Sequence, residues 1–396
     1  MSTLSALNTR LTEVLKRSET RNLTTTQRER ALNDALVFDV ATYRPWTQLV
    51  ENSYLQAVDG VIRVPYNFRK LYSLHYGVSP DTSWERYELI DQTKFLNQIH
   101  NTATITEESG VQVLKIYPTD DQGVDQENQT ATSDLGLYTS SGTEKLFQTF
   151  TTDTTTFKGV MLKLKYTGTK TGTLTCGLYA TSSSLPTGSA LITDSITIEN
   201  ELSTSYQYVF FYLPYTTTAD TEYAVVLSSD ATALDATNYV VWAYSATSQI
   251  SDGTRGVYTG AAYETATGDM YFLTYNEVYN FQYSKKLAEM TASTPTTGLN
   301  SEFDEAIAML AGARLLARQA GGTDQTKLAL AHELRYGTAG SPKNPTPDSA
   351  YGKLNIIWDE SRVRTQTPRR KMSNIWENRS VSDRSHTDRS YLQYMD

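Results

Sequence analysis

The stretch Tyr206-Gln-Tyr-Val-Phe-Phe-Tyr-Leu213 is dominated by aromatic and aliphatic side chains, which favour a β-strand over a helix. Runs of the same kind and length recur along the neighbouring sequence, with Gly, Ser, Asp and Pro between them and no helical periodicity. They cover residues 160–166, 174–179, 222–227, 239–244 and 270–274. Short strands that recur in this way, separated by turn residues, predict an all-β sandwich.

A change of composition sets this region apart from the rest of the chain. Residues 133–274 are rich in Thr, Ser, Tyr and Gly, whereas both flanks are charged and show helical periodicity. A block with its own composition, between two flanks that look incomplete alone, predicts one domain inserted into another. We therefore expect four segments: a first frame part (1–132), the inserted β-sandwich (133–274), a second frame part (275–360) and a C-terminal tail (361–396).

Both flanks predict helices. Leucines at spacings of three and four, beginning at Leu4, form one apolar stripe and predict a first helix. A second helix is expected to start near Thr26, which has the spacing of a capping box with Glu29, and to stop before Pro45. After Ser301, an alanine-rich helix is thin enough to pack closely against these two.

Between these helices, the flanks also predict strands. Residues 61–65, 70–76 and 111–117 have the composition of strands of a small sheet. The expected fold class is therefore α+β: a helical-bundle frame with a small antiparallel sheet, interrupted by an all-β sandwich and followed by an extended C-terminal tail. Because the insert splits the frame, the two frame parts must meet in space.

The charge of the chain is unevenly distributed. The net charge is −9, but residues 361–396 hold eight Lys or Arg against four Asp or Glu, which leaves residues 1–360 with 27 basic and 40 acidic side chains. A body this acidic repels nucleic acid, and only the tail could attract an anionic surface. The single cysteine, Cys176, excludes internal disulfides, and no apolar run is long enough to span a membrane, so we expect a soluble, cytosolic protein.

Residues that usually carry catalysis are sparse and scattered. The histidines are His75, His100, His332 and His386, and none has the spacing of a metal ligand pair. The glycine-rich segments at 321–322 and 337–340 lack the lysine and the spacing of a phosphate-binding loop. We therefore expect no catalytic residues, no metal and no cofactor, and a protein that is not an enzyme.

Aromatic side chains of the insert are candidates for sugar binding, because exposed aromatic rings can stack on sugar faces. Trp242 lies within a predicted strand, where alternation sets it opposite Val241, and a buried core position is expected for it. Residues nearer to loops are the candidate ligand contacts: Tyr212, Tyr215, Tyr258 and Tyr263.

The C-terminal tail has few aliphatic residues and interleaves basic with aromatic side chains. A segment of this composition would not fold alone. Arg and aromatic side chains suit a buried protein interface, and they also suit nucleic acid, but beside an acidic body we favour the protein interface. The expected docking residues are Arg369, Arg370, Lys371, Trp376, Arg379, Tyr391 and Tyr394.

Four segments of the flanks follow one another in a familiar order. They are Ala41-Thr-Tyr-Arg-Pro45, Val61-Ile-Arg-Val-Pro-Tyr-Asn-Phe-Arg-Lys-Leu71, Lys115-Ile-Tyr-Pro118 and Leu299-Asn-Ser-Glu-Phe-Asp-Glu-Ala-Ile307. On these segments the frame resembles the head–tail connector, or adaptor, proteins of tailed bacteriophages. The insert looks like jelly-roll modules of extracellular and viral proteins, through Leu185-Pro-Thr-Gly-Ser-Ala-Leu191, Asn238-Tyr-Val-Val-Trp242 and Asp269-Met-Tyr-Phe272.

The resemblance implies a structural virion protein of the head–tail junction, made in the host cytoplasm. Such a protein forms a ring beneath the portal, commonly of about twelve copies, and extends the DNA channel. The implied partners are further copies of itself, the portal protein, a tail or tail-completion protein and, through the insert, fibres. Genomic DNA would pass through the lumen without specific binding, and no membrane is involved.

Typical connectors are much shorter than this chain, so the insert departs from the family. One alternative therefore stays open. The protein would then be a virion fibre or baseplate-type binding protein whose jelly roll recognises host glycans or docks fibres.

Overall fold

The computed structural model describes residues 3–15, 23–44, 46–77, 85–95, 100–108, 111–117, 123–138, 144–169, 172–230, 234–235, 237–251, 253–291 and 296–365. Within this described part, the residues up to Thr47 and those from Ala288 onward form one compact unit, and Gln48–Leu287 form a second. The first unit is helical, and the second contains three β-sheets.

The helical unit is built from both ends of the chain. Its N-terminal helices are α1 (Leu4–Val14) and α2 (Thr25–Asp34), and α2 runs on through a π-helical segment, Ala35–Val40, into a last turn, Ala41–Tyr43. A 3-10 turn, Ser301–Phe303, leads into the C-terminal helices, which are α3 (Asp304–Ala320), α4 (Gln325–Tyr336) and α5 (Ala350–Thr365). Helix α3 packs against α1, α2, α4 and α5.

Small side chains let α3 occupy the centre of this unit. A Cβ added at Gly312 would lie 3.4 Å from side-chain atoms of both Leu15 and Leu334, so three elements meet closely at this point. The prediction that a thin, alanine-rich helix packs against the N-terminal helices is confirmed. The helix ends where Gly321 adopts a left-handed conformation, with φ of 54°.

Aromatic rings join the two ends of the chain inside the helical unit. The ring of Trp46 meets Phe303 edge-on at 4.9 Å and Trp358 at 5.8 Å between centroids. The Trp46 Nε1 donates a hydrogen bond of 2.6 Å to the carbonyl of Val40, so the buried indole nitrogen is satisfied. Nearby, the Tyr43 hydroxyl donates to Asn355 Oδ1 at 2.9 Å.

The first sheet of the second unit contains β1 (Val50–Leu55), β2 (Val61–Arg63), β3 (Phe68–Gly77), β4 (Glu85–Leu89), β5 (Thr102–Glu108), β6 (Val111–Tyr117) and β20 (Val278–Lys285). Its order is β1-β20-β3-β4-β5-β6-β2. Neighbouring strands are antiparallel except for β4 and β5, which pair in parallel. Because β20 lies between β1 and β3, the sheet is complete only when the chain has returned from the insert.

The expected α+β helical-bundle frame is wrong. The strands of residues 50–117 do not form a small antiparallel sheet within a helical bundle. They belong to a seven-stranded mixed sheet with its own apolar core, in the same unit as the sandwich. Phe68, Leu74, Ile116 and Phe281 fill that core, so the sheet is stabilised by burial of its own side chains.

The tail that the sequence predicts to be extended begins as a helix. Helix α5 continues to Thr365 before the described part of the chain ends. The boundary between the second frame part and the tail therefore falls inside a helix.

Two further sheets form the sandwich. One contains β7 (Val124–Asn128), β8 (Ser133–Leu137), β10 (Thr156–Thr167), β13 (Gln207–Thr216), β15 (Tyr239–Ser245), β18 (Asp269–Met270) and β19 (Phe272–Tyr275). The other contains β9 (Lys145–Thr152), β11 (Thr173–Ser182), β12 (Leu185–Thr197), β14 (Thr221–Ser229), β16 (Arg255–Tyr258) and β17 (Tyr263–Ala266). In the first of these sheets β10 is central and pairs with β13, β15 and β19; the second has the order β12-β11-β14-β9-β16-β17.

Both sheets of the sandwich bury side chains in one shared core. Phe150, Phe157, Phe211 and Phe272 lie in it with Trp242. Trp242 is fully buried and its Nε1 donates to the carbonyl of Tyr271 at 2.8 Å, which confirms the expected core position. The region is therefore a jelly-roll-like β-sandwich, and through β7 its strands begin at Val124.

Candidate functional site

Strand β13 separates two kinds of side chain. Val209, Phe211 and Leu213 point into the shared core of the sandwich. Alternation along the strand therefore places the residues between them on the outer face of the β10–β13 sheet. Part of that face is covered, because Phe210 packs against a cluster of buried residues that includes Val58 from the β1–β2 connection.

Two of the expected ligand contacts lie on β13. The ring of Tyr212 stacks on Tyr54 of β1, with centroids 4.2 Å apart and planes inclined by 15°. Burial, and then the neighbouring Tyr54, raises the pKa of Tyr212 to about 12. Tyr215 packs against the sandwich core, 6.5 Å from the ring of Tyr223. Both rings therefore already have partners within the second unit.

The other two expected contacts form a pair on the opposite sheet. Tyr258 of β16 and Tyr263 of β17 are cross-strand neighbours, with ring centroids 4.9 Å apart. Lys145 Nζ lies 5.1 Å from the Tyr258 ring centroid, and Tyr263 meets Phe147 edge-on at 5.5 Å. The structure therefore brings Tyr258 and Tyr263 together, but on a different sheet from Tyr212 and Tyr215.

The expected docking residues of the tail lie outside the described part of the chain. They are Arg369, Arg370, Lys371, Trp376, Arg379, Tyr391 and Tyr394. Their role stays a prediction.

A partly exposed cluster of tyrosines and lysines occupies another part of the outer face. We call it the tyrosine–lysine surface, and it consists of Lys163, Lys165, Tyr206, Tyr208, Tyr271 and Asp134. Lys163 of β10 is the cross-strand partner of Tyr208 of β13. Its Nζ lies 4.9 Å from the ring centroid of Tyr271, 5.8 Å from that of Tyr206 and 6.0 Å from that of Tyr208. These distances are those of cation–π contacts.

An ion pair completes this surface at one end. Lys165 Nζ lies 2.5 Å from Asp134 Oδ2 and 4.4 Å from the ring centroid of Tyr206. The Tyr206 hydroxyl donates to Asp134 Oδ1. Burial acts to raise the pKa of Asp134, but the hydrogen bonds from Lys165 and Tyr206 outweigh it and hold the pKa below its usual value. Asp134 is therefore ionised at neutral pH.

The expected aromatic contacts did not include this cluster. One signal was available, since Lys163 and Lys165 are two residues apart on one strand, as are Tyr206 and Tyr208, and alternation places each pair on one face. The sequences of these two segments do not indicate that β10 and β13 are neighbours in the sheet. The register between them decides which lysine meets which ring.

A cleft and two of the histidines are further polar features of the described residues. An open cleft of about 340 Å³ is lined by Gly123, Thr154, Thr155, Thr156, Asn276 and Glu277, which supply a single carboxylate. His75 lies on β3, where burial and then Arg86 lower its pKa, and His332 packs on Tyr336 at 5.0 Å. In the described ranges no group of three or more His, Cys, Asp and Glu residues could hold a metal ion, and no helix there is long and apolar enough to cross a membrane.

Comparison with known proteins gives only weak structural likenesses. No family model matches the sequence, and no curated protein matches it. The clostridial cysteine protease Cwp84 after propeptide cleavage aligns at 10% identity and a TM-score of 0.29 over 45% of each chain. A structure of infectious bursal disease virus, Gt strain, aligns at 16% identity and a TM-score of 0.21, over 58% of this chain and 52% of that chain. The stem and receptor binding domain of spike protein P1 from bacteriophage PM2 aligns at 8% identity and a TM-score of 0.18, over 60% of this chain and 96% of that chain.

The solved structures that align with this chain thus include a virus and a phage spike as well as a bacterial protease. The match spans less than half the length of the protease chain, at 45%. At TM-scores of this size, the likenesses carry no argument about what the protein does.

Proposed function

We propose that the protein is a structural, non-enzymatic virion component: a head–tail connector whose copies form a ring that joins the portal to the tail and extends the DNA channel. The observation that carries the proposal is the surface of the helical unit. Phe38 is 58% exposed on the π-helical segment that follows α2, although Leu36 and Val40 beside it are fully buried. π-Helical turns are rare and frequently mark functional positions. A second copy of the chain is the proposed cover for this aromatic side chain.

The arrangement of the connector-like segments supports the same proposal. The segments that end near residue 45 and begin near residue 299 are far apart in sequence, yet Trp46 and Phe303 are in ring contact. The basic tail begins within the last turns of α5, so it starts from the helical unit. A docking tail on the same unit as the self-association surface would let one unit serve both the ring and the portal.

The charge of the body suits a DNA channel. Residues 1–360 carry 27 basic and 40 acidic side chains, so they offer phosphates little attraction. DNA could then move through the ring without being held by it.

The test is the oligomeric state of the full chain. We expect native mass spectrometry and negative-stain imaging to show one closed ring of about twelve copies, since head-to-tail interfaces with a closing rotation generate rings. A protein that stays monomeric, alone and with portal protein added, would contradict the proposal. A trimer would favour the fibre or baseplate alternative instead.

A further inference from the structure

The tyrosine–lysine surface concentrates positive charge in an acidic domain. Residues 133–274 contain six Lys or Arg and 13 Asp or Glu, yet Lys163 and Lys165 lie two residues apart on the same strand face. Lys165 is paired with Asp134. Among the described residues, Lys163 has no carboxylate within ion-pair distance, and its neighbours are the three tyrosine rings. The surface therefore carries one positive charge in excess.

The rings hold Lys163 in position before any ligand arrives. Tyr271 is 2% exposed and its hydroxyl donates to the Tyr208 hydroxyl at 3.3 Å, which links two of the rings. Tyr208 itself is 36% exposed, so part of this side chain remains open to solvent. Side chains fixed on paired strands lose little conformational entropy when they bind, which favours affinity.

We propose that the tyrosine–lysine surface binds a saccharide that carries carboxylate groups, such as a chain of uronic or sialic acids. The Lys163 ammonium would pair with the carboxylate in a charge-assisted contact. The Tyr208 ring, with its negative face, would pack against the weakly positive C–H groups of a sugar. The Asp134 carboxylate would accept hydrogen bonds from sugar hydroxyls, and the tyrosine hydroxyls would donate to sugar oxygens or accept from sugar hydroxyls.

A neutral sugar fits this surface less well. It would use the ring and the hydroxyls but would leave the unpaired ammonium of Lys163 without a counter-charge and partly desolvated. The inference does not depend on ring assembly, because it concerns the sandwich alone. Either proposal can fail while the other holds.

A glycan array probed with the full chain tests the ligand class. The array should present oligosaccharides of uronic and sialic acids, each beside its carboxyl-reduced counterpart. We expect binding to at least one acidic glycan, loss of that binding on carboxyl reduction, and weaker binding as salt is raised. No binding to any acidic glycan would overturn the inference and leave this face to a protein contact. Equal binding to the reduced forms would overturn it as well.

Substitution of Lys163 then tests the site on the glycan found. Lys163→Met keeps a long side chain against the rings but removes the charge, and we expect Kd to rise by about tenfold or more. Lys145→Met is the matched control, since Lys145 lies over the ring of Tyr258 in the same kind of contact on the other sheet. The control should bind like the original protein. Unchanged binding by Lys163→Met, or equal losses in both variants with intact thermal unfolding, would contradict the assignment.

Discussion

The carboxylate of Asp194 on β12 accepts a hydrogen bond of 2.8 Å from the backbone amide of Tyr212 on β13. The two strands belong to different sheets, and the register between β10 and β13 shifts just beyond Tyr212. The other Asp194 oxygen accepts from the amide of Ser195 at 2.8 Å. One side chain thus joins the two sheets of the sandwich at their edge.

Replacement of Asp194 by Asn should change how stability depends on pH. Burial raises the pKa of Asp194 above its ordinary value of 3.8, despite the two amide hydrogen bonds. A raised folded-state pKa means that the contribution to the free energy of unfolding is greatest below pH 3.8 and declines as the pH rises through the folded pKa. The Asn variant should lack this decline, as measured by chemical denaturation at several pH values. A difference between the two proteins that does not vary with pH would contradict the expectation.

Glu51 should contribute a pH dependence of the opposite sign. Burial acts to raise its pKa, but hydrogen bonds from Lys285, Tyr283 and Asn67 outweigh it and lower the pKa below the ordinary value of 4.5. Its contribution to stability is therefore present above pH 4.5 and is lost as the pH falls through the folded pKa. The stability of the Glu51→Gln variant should fall less than that of the original protein as the pH is lowered. Thermal unfolding between neutral and acidic pH provides the measurement, and identical acid sensitivity would refute the effect.

The Arg314–Asp39 pair should matter more to stability than its neighbour. Arg314 donates to both Asp39 oxygens, at 2.6 and 2.8 Å, and the Asp39 side chain is only 15% exposed. Arg314→Ala should lower the free energy of unfolding by about 2 kcal/mol, because it leaves a mostly buried carboxylate without its partner. The control is Arg318→Ala: the Arg318 side chain is 51% exposed in its pair with Asp34, so its removal should cost less than about 1 kcal/mol. Equal losses in urea denaturation would show that the bidentate geometry adds nothing.

Phe38→Ser should weaken assembly without unfolding the subunit. The side chain is 58% exposed, so its removal should change the free energy of unfolding of the subunit by less than about 0.5 kcal/mol. If a second copy covers this side chain, the interface between the copies would lose an apolar contact. Tyr66→Ser offers a matched control, because Tyr66 is 59% exposed but belongs to the second unit. Native mass spectrometry should show fewer complete rings for Phe38→Ser than for Tyr66→Ser. The same distribution for both variants would place the contact elsewhere.

Helices and strands with one buried face could be predicted from the sequence, but the residues at which they begin and end could not. Leu4, Leu7 and Leu11 are buried as their spacing predicts. The second helix, however, is capped by Thr24 with Gln27 rather than by Thr26 with Glu29. Three consecutive threonines offer overlapping capping patterns, and the local sequence alone does not distinguish between them.

Features that depend on distant pairing could not be predicted. Strand β1, Val50-Glu-Asn-Ser-Tyr-Leu55, has no clean alternation of apolar and polar residues, and it becomes a strand by pairing with β20 from the far side of the insert. The tyrosine–lysine surface likewise takes Lys163, Tyr208 and Tyr271 from three separate parts of the chain. Alternation predicts which residues share a face, but only the register of the sheet brings those faces together.

The place of β20 between β1 and β3 also governs the order in which a growing chain can fold. Hairpins of the sandwich pair nearby residues and can form during synthesis. In contrast, β1 and β3 can pair with β20 only after residues up to Lys285 have left the ribosome. Until then both strands present unpaired edges, which readily pair with other chains. Chains that stall before Lys285 should therefore aggregate, whereas in completed chains β20 covers the facing edges of both strands within a single subunit.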